Sequence, residues 1–416
     1  MITKQFSVQK LAYTLICLCI VLTVLYIGSA FFVPIAFGML FAFMLKPGCD
    51  RVERVVGNRV LAIILTMLLV GLIIASVFSF FFIRISDVIS EADNIFANLQ
   101  SAADTVMNTA GKWIGMTPRE TDKVITQSLD DALAAPINLV TSGLSTSGYL
   151  LANFAITFIY IFFFLLYRTA FKRFVMGQMK TSRQIEGEQT IREIQRVASD
   201  YLGGMGIVML VLGVLNSLGL YLIGIQYPLV WGFLAALLAV IPYVGTTLGG
   251  LLPLLYAIAT TTTLWQPLAV VALYSSVQFL EGNLITPKIV GNSVKINALA
   301  AIVSLILGAA FWGLAGLILA IPLLAMVRIV FEHIKPLMPL ALLLSDDLYA
   351  ESGKFEEEYS APEYRLASLF LGKNTSILSG NRKSALAGQP PNGVRKADTK
   401  IIAKAKPKQG NRNAGR

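Results

Sequence analysis

The sequence predicts an all-α, polytopic integral membrane protein with about six to eight membrane elements, two of them broken or re-entrant helical segments, plus an extracytoplasmic helical hairpin. Three observations carry this. The 416 residues are 56% hydrophobic and only 14% charged, outside the range of an ordinary soluble domain. No Asp, Glu, Lys or Arg occurs from Tyr201 to Leu280, far more than the roughly 20 apolar residues one spanning helix needs. The polar stretches between the apolar runs alternate in the sign of their charge. A soluble fold would have to hide all this in one core, and cores stop growing near about 250 to 300 residues.

The apolar run 11–27 follows Lys4 and Lys10. It is longer than a signal-peptide core and leads directly into a second run, 31–45, so it reads as a first membrane helix. Lys46, Arg51, Arg54 and Arg59 outnumber Asp50 and Glu53 in the next loop, which places that loop and the N-terminus in the cytoplasm. A third run, 60–83, leads to the longest polar insertion, 84–147, where eight acidic residues face four basic ones. That insertion belongs outside. Its apolar residues recur at helical spacing, and Thr117-Pro118 with Glu120 forms a capping box for its second helix. A fourth run, 149–167, returns the chain inside, where Arg168, Lys172, Arg173, Lys180, Arg183, Arg192 and Arg196 mark a cytoplasmic amphipathic linker.

Beyond the linker the runs come short, long, short, long: 203–224, 228–260, 264–280 and 298–330. The first long run carries Pro242, Gly245, Gly249 and Gly250, and the second Gly308, Gly313 and Gly316. Breakers at corresponding places of two halves point to discontinuous helices, whose freed backbone groups must be answered by a ligand, water or neighbouring protein. Close helix packing is the plainer use of the same residues.

Glu281 is the one acidic residue between Tyr201 and Val330. A carboxylate at membrane depth is costly in its charged form and is a functional candidate for that reason. Gln278, Asn283 and Thr286 supply oxygen ligands nearby, so the set suits a cation, a proton or a polyhydroxylated solute; an ordinary polar helix end at the interface is the alternative. No P-loop or nucleophile-elbow motif occurs, and the single histidine, His333, lies beside Glu332 at a membrane boundary. The sequence therefore predicts no enzyme, no cofactor and no metal site. Cys17, Cys19 and Cys49 form no disulfide framework.

Four stretches carry a resemblance: 31–54 (FFVPIAFGMLFAFMLKPGCDRVER), 241–253 (IPYVGTTLGGLLP), 278–291 (QFLEGNLITPKIVG) and 308–322 (GAAFWGLAGLILAIP). In this order and spacing they resemble the signature blocks of the autoinducer-2 exporter family of permeases, over residues 11–333. Ala298 and Ala309 stand where the family often has proline and glycine, which predicts a less sharply broken second hairpin. The resemblance implies an oligomeric inner-membrane transporter, with autoinducer-2 export and sodium or lithium to proton exchange attributed to members.

The sequence thus divides into N-terminal membrane helices 1–83, an extracytoplasmic hairpin 84–148, a membrane helix 149–168, the linker 169–201, a core transport region 202–333, a post-membrane segment 334–371 and a disordered basic tail 372–416. Both termini are expected in the cytoplasm. Expected partners are the bilayer, a small polar solute or a monovalent cation and proton, and further copies of the chain; the tail's positive charge reads as a lipid-side anchor, with no nucleic acid expected. The function expected is secondary transport, the alternative a membrane scaffold recruiting a partner through the tail. Pathway candidates are Pro242, Tyr243, Gly245 and Thr246 at the first break and Gln278, Glu281, Asn283, Thr286 and Pro287 after the next helix. If both long runs are single tilted helices, the chain crosses eight times. If each is a hairpin, its legs of about 16 residues span roughly 24 Å, short of the roughly 30 Å hydrocarbon core, and the two units form inverted repeats. The hairpin arrangement is favoured.

Overall fold

The computed structural model describes residues 8–90, 98, 101, 147–241, 244–261, 263–346 and four isolated positions, 353, 359, 364 and 366. The predicted extracytoplasmic hairpin and basic tail lie almost wholly outside the described residues. Among these residues the fold is all-α, with a single antiparallel bridge between Ile296 and Ser345 in place of any strand. Among the described residues six helical stretches are long and apolar enough, by length and composition, to cross a membrane, one of them the stretch Ala298–Glu332 that folds back on itself.

The N-terminal unit comprises α1 (Val8–Ile27), α2 (Ser29–Val56), α3 (Arg59–Ser90) and α4 (Ser147–Gly177). α1 and α2 are separated by one residue, Gly28. A methyl group there would come within 2.8 Å of Val24 O and 2.9 Å of the Phe32 ring, so a side chain at the bend would force its neighbours to shift. Helices α2, α3 and α4 pack around Ala42, Cys49, Ala62, Ile63, Ile161 and Leu165. Charges fasten the same helices at one end: Arg168 donates to Asp50 and, at 2.5 Å, to Glu53 Oε2, while Arg59 Nη2 donates to Leu165 O at 2.8 Å.

The C-terminal unit begins with α5 (Gln184–Ile223), 40 residues long. Here the structure adds to the sequence reading: the predicted linker is divided, its first residues extending α4 to Gly177, while its second part, from Gln184, and the membrane run beyond it share one continuous helix, because helical spacing persists although charge stops at Tyr201. α5 ends at Gly224, whose φ of 85° permits a left-handed cap in which Ile225 N donates back to Leu220 O.

Two helical hairpins follow. Hairpin 1 is α6 (Pro228–Leu238) and α7 (Val244–Thr260). Its legs touch where a methyl on Gly245 would collide with Leu238 O and one on Gly249 would lie 3.0 Å from Ala235 Cβ. Helix α8 (Trp265–Leu280) runs on through a π-helical turn, Glu281–Ile285, and two single turns, α9 (Thr286–Ile289) and α10 (Gly291–Val294). Pro287 accounts for the widened turn: it has no N–H to donate to Asn283 O, and its ring crowds that carbonyl.

Hairpin 2 is α11 (Ala298–Glu332), which is helical by hydrogen bonding for 35 residues yet reverses at Trp312 (φ −132°) and Gly313 (φ 57°, ψ −133°). Gly308 and Gly316 confirm the reversal, since a methyl on either would strike the other's backbone; in a straight helix they would stand about 12 Å apart. The base is closed as well. Asn297 caps the first leg through Ala300 N (2.8 Å), and its Nδ2 donates to Leu343 O (2.7 Å) in the last turn of α12 (Met338–Leu344). The second long run is therefore two legs of 14 and 19 residues, not one tilted helix.

Candidate functional site

The close contacts of α5 fix the depth of everything packed on it. Gly219 faces Leu273 on α8, and a methyl on Gly204 would lie 3.1 Å from Val290 Cγ2, so α8 and its continuation run antiparallel to α5. Interpolating between these contacts puts Glu281 beside the turn of α5 around Leu212, near the middle of the apolar stretch 201–223. Gly232 on α6 faces Ser217. Continuing down α6, Leu238 and its neighbour Gly245 reach the same level as Glu281. Hairpin 1 opens at the C-terminal end of α5, while hairpin 2 opens at the opposite end, where Val294 packs against the cluster that holds Tyr201 and Val290.

Among the sequence-predicted residues, the structure brings Gly245 and Glu281 to one depth. Glu281 is half-buried and takes a side-chain hydrogen bond from Gln278. Asn283 is exposed, and its Nδ2 donates to Phe279 O at 2.8 Å, leaving Oδ1 as its outward group. Thr286 is half-buried, and its backbone carbonyl accepts from Val290 N (2.8 Å). Pro287 is exposed and shapes the π turn. Pro242 and Tyr243 lie outside the described residues, as does the side chain of Thr246. Gly245 has a structural duty of its own, because its missing side chain lets α7 meet the backbone of α6. Among the described residues no group of three or more His, Cys, Asp or Glu converges as a metal site.

Four groups escaped the sequence reading. Asn216 Oδ1, Ser217 Oγ, Trp231 Nε1 and Tyr274 Oη are buried with no hydrogen-bond partner among the described residues. The signal was there in part: Asn216-Ser217 is the polar pair in an otherwise apolar run, 203–224.

The tip of hairpin 2 belongs to a different environment. Trp312 Nε1 donates to Leu25 O at 2.9 Å, answering a carbonyl that the Gly28 bend releases from the α1 ladder. Beside it lies an apolar cavity of 1240 Å³, lined by the tip together with Phe37, Phe41, Met67 and Phe158 of the N-terminal unit.

The model of the AI-2E family transporter matches residues 15–335. Similar proteins include "Putative transport protein YrrI" of Bacillus subtilis (strain 168), 27% identical over 348 residues that make up 79% of this chain and 97% of that protein. YueF of the same bacterium bears the same description and is 24% identical over 325 residues, 76% of this chain and 87% of its own. "AI-2 transport protein TqsA" of Escherichia coli (strain K12) is 28% identical over 169 residues, 41% of this chain and 49% of its own. With the family model spanning most of its length, this multi-pass membrane protein belongs to the AI-2E family of transporters.

Proposed function

We propose that the chain is a secondary transporter that moves a small polar solute, or exchanges sodium for protons, through its C-terminal unit. One observation carries the reading: two hairpins open toward opposite ends of one bundle, and the tip of the first meets the level of Glu281, the lone carboxylate of the apolar region. Such broken elements at the midplane suit alternating access, with exposed backbone and a few polar side chains holding the cargo. In this reading Pro242, Gly245 and Pro287 open the backbone. Tyr243, Thr246, Gln278, Asn283 and Thr286 coordinate, and Glu281 couples a proton or cation. The name of TqsA, an AI-2 transport protein, supports the solute branch.

Flux of autoinducer-2, sodium and protons, measured in parallel on proteoliposomes of the full chain, tests the function. Glu281→Gln keeps size and hydrogen bonding while removing the titratable charge, so flux should be abolished or lose its pH dependence with membrane insertion intact. Undiminished, pH-dependent flux in that variant would remove Glu281 from the mechanism.

The same reading puts the chain in the inner membrane as a homo-oligomer with both termini cytoplasmic. The basic residues Lys46, Arg59, Arg168 and Lys172 gather at the end where hairpin 2 opens, in line with the positive-inside rule. Lys288 is exposed near that end. A single cysteine there, in a background lacking Cys17, Cys19 and Cys49, should resist an impermeant thiol reagent added outside intact cells; ready labelling would reverse the orientation.

A further inference from the structure

The four orphaned polar groups share one slice of the bundle. Ser217 Oγ is the atom nearest to where a side chain on Gly232 would begin, which sets Trp231 and Gly232 of α6 level with Asn216 and Ser217 of α5. Gly219 against Leu273 brings Tyr274 of α8 to that level too. A methyl on Gly250 would lie 3.4 Å from the Tyr274 ring, which adds α7. Three glycines thus draw four helices together where four polar groups go unanswered. Trp231 and Tyr274 also pack into one cluster with Leu220, Tyr256 and Val270. Asn216, Ser217 and Trp231 are 4%, 6% and 9% exposed. Leaving such groups unmatched is costly, and apolar residues of similar shape would cost nothing there.

Their chemistry selects a guest. Asn216 Oδ1 accepts, Trp231 Nε1 donates, and the hydroxyls of Ser217 and Tyr274 do both. No charged residue lies on any of these helices between Tyr201 and Leu280, so a bare ion would find no counter-charge, whereas a molecule with several hydroxyls matches donors and acceptors alike. We propose that Asn216, Ser217, Trp231 and Tyr274 form an uncharged hydrogen-bonding cell that binds a small neutral hydroxylated solute. The cell is distinct from Glu281, which lies seven residues beyond Tyr274, about 10 Å along the helix. It rests on the transport reading and assigns the solute and the coupling carboxylate to separate levels.

Trp231 is a built-in reporter. The full chain labelled with 5-fluorotryptophan and held in lipid nanodiscs gives a Trp231 fluorine resonance, identified by its loss in Trp231→Phe. Titration with erythritol and with D-ribose should shift this resonance saturably, while sodium chloride and sodium acetate should not. Asn216→Leu and Ser217→Ala should each weaken the response about tenfold, and the thermal midpoint of Asn216→Leu should be unchanged or raised. No saturable shift with either polyol would overturn the proposal, as would wild-type affinity in both variants or an equal response to the salts. Solute flux without a response at Trp231 overturns the cell and leaves the transport reading standing; binding at Trp231 without flux does the reverse.

Discussion

In hairpin 1 both legs pack on neighbouring helices, although α6 still exposes Leu229 and Leu237 on its outer face. α6 packs on α5 through Gly232 and Ser217, α7 packs on α8 through Gly250 and Tyr274, and the legs meet backbone to backbone at Gly245 and Leu238. In hairpin 2 the second leg is buried at Leu319, Ala320, Met326 and Ile329, but the first leg exposes Leu299, Ile306 and Leu307 on its outer face. That first leg is held by its twin through Gly308 and Gly316, by the Asn297 cap at the base and by the Trp312 hydrogen bond at the tip. The same helix–break–helix plan thus yields one hairpin fixed by its neighbours and one whose outer leg depends mainly on its own contacts. Close-packed interiors have discrete arrangements, so the outer leg of hairpin 2 is the element with room to take a second one.

The largest effect should come from putting matched substitutions into the two hairpins. Gly245→Ala drives a methyl into Leu238 O with α5 and α8 blocking retreat, and should destabilise the chain by about 3 kcal/mol. Gly316→Ala makes a comparable collision with Gly308, yet the first leg can move outward, so about 1 kcal/mol is expected. Thermal midpoints of the full chain in nanodiscs compare them directly. Equal losses would mean that hairpin 2 is as tightly held as hairpin 1. Enlarging Gly245 disturbs the packing of α7 on α6 before it can touch a solute.

A smaller effect is expected at Gly313. Nothing lies within 4 Å of a methyl there, so the obstacle is the backbone alone, at φ 57° and ψ −133°. That region suits glycine, and a β-branched residue in it costs about 1 to 3 kcal/mol. Gly313→Val should therefore lower the midpoint less than Gly245→Ala, and proteolysis of the hairpin 2 tip should rise. Unchanged stability would mean that the reversal can be made by another residue.

These positions show what the sequence could and could not say. Paired breakers in two long runs made both hairpins legible, and the lone Glu281 was legible because charge is so rare around it. Which of Gly308, Gly313 and Gly316 makes the turn was not, since all three are glycine and only the backbone angles separate the one that bends from the two that touch. The continuity of α5 was hidden by the loss of charge at Tyr201, which marks a change of solvent around a helix that does not end. Asn216 and Tyr274 do not stand out in the sequence because their common depth depends on contacts between helices far apart in sequence.

The smallest effect should lie at the Trp312 tether. The indole N–H donates to Leu25 O, whose usual partner would be the N–H of Ser29; the bend at Gly28 takes that partner away. Trp312→Phe keeps an aromatic ring against the 1240 Å³ cavity and the neighbouring Phe37 but removes the donor. Hydrogen bonds between membrane helices are worth about 0.6 kcal/mol on average, because the unfolded chain in lipid also finds partners. A loss of that order should leave insertion and the midpoint almost untouched. What should change is the coupling of the hairpin 2 tip to α1. A fluorophore pair on Leu314 and Tyr13 should report a broader distance distribution in the variant than in the parent chain. If the distribution stays as narrow, the tip is held by apolar contact alone, and the contrast between a fixed first hairpin and a tethered second one loses its second support.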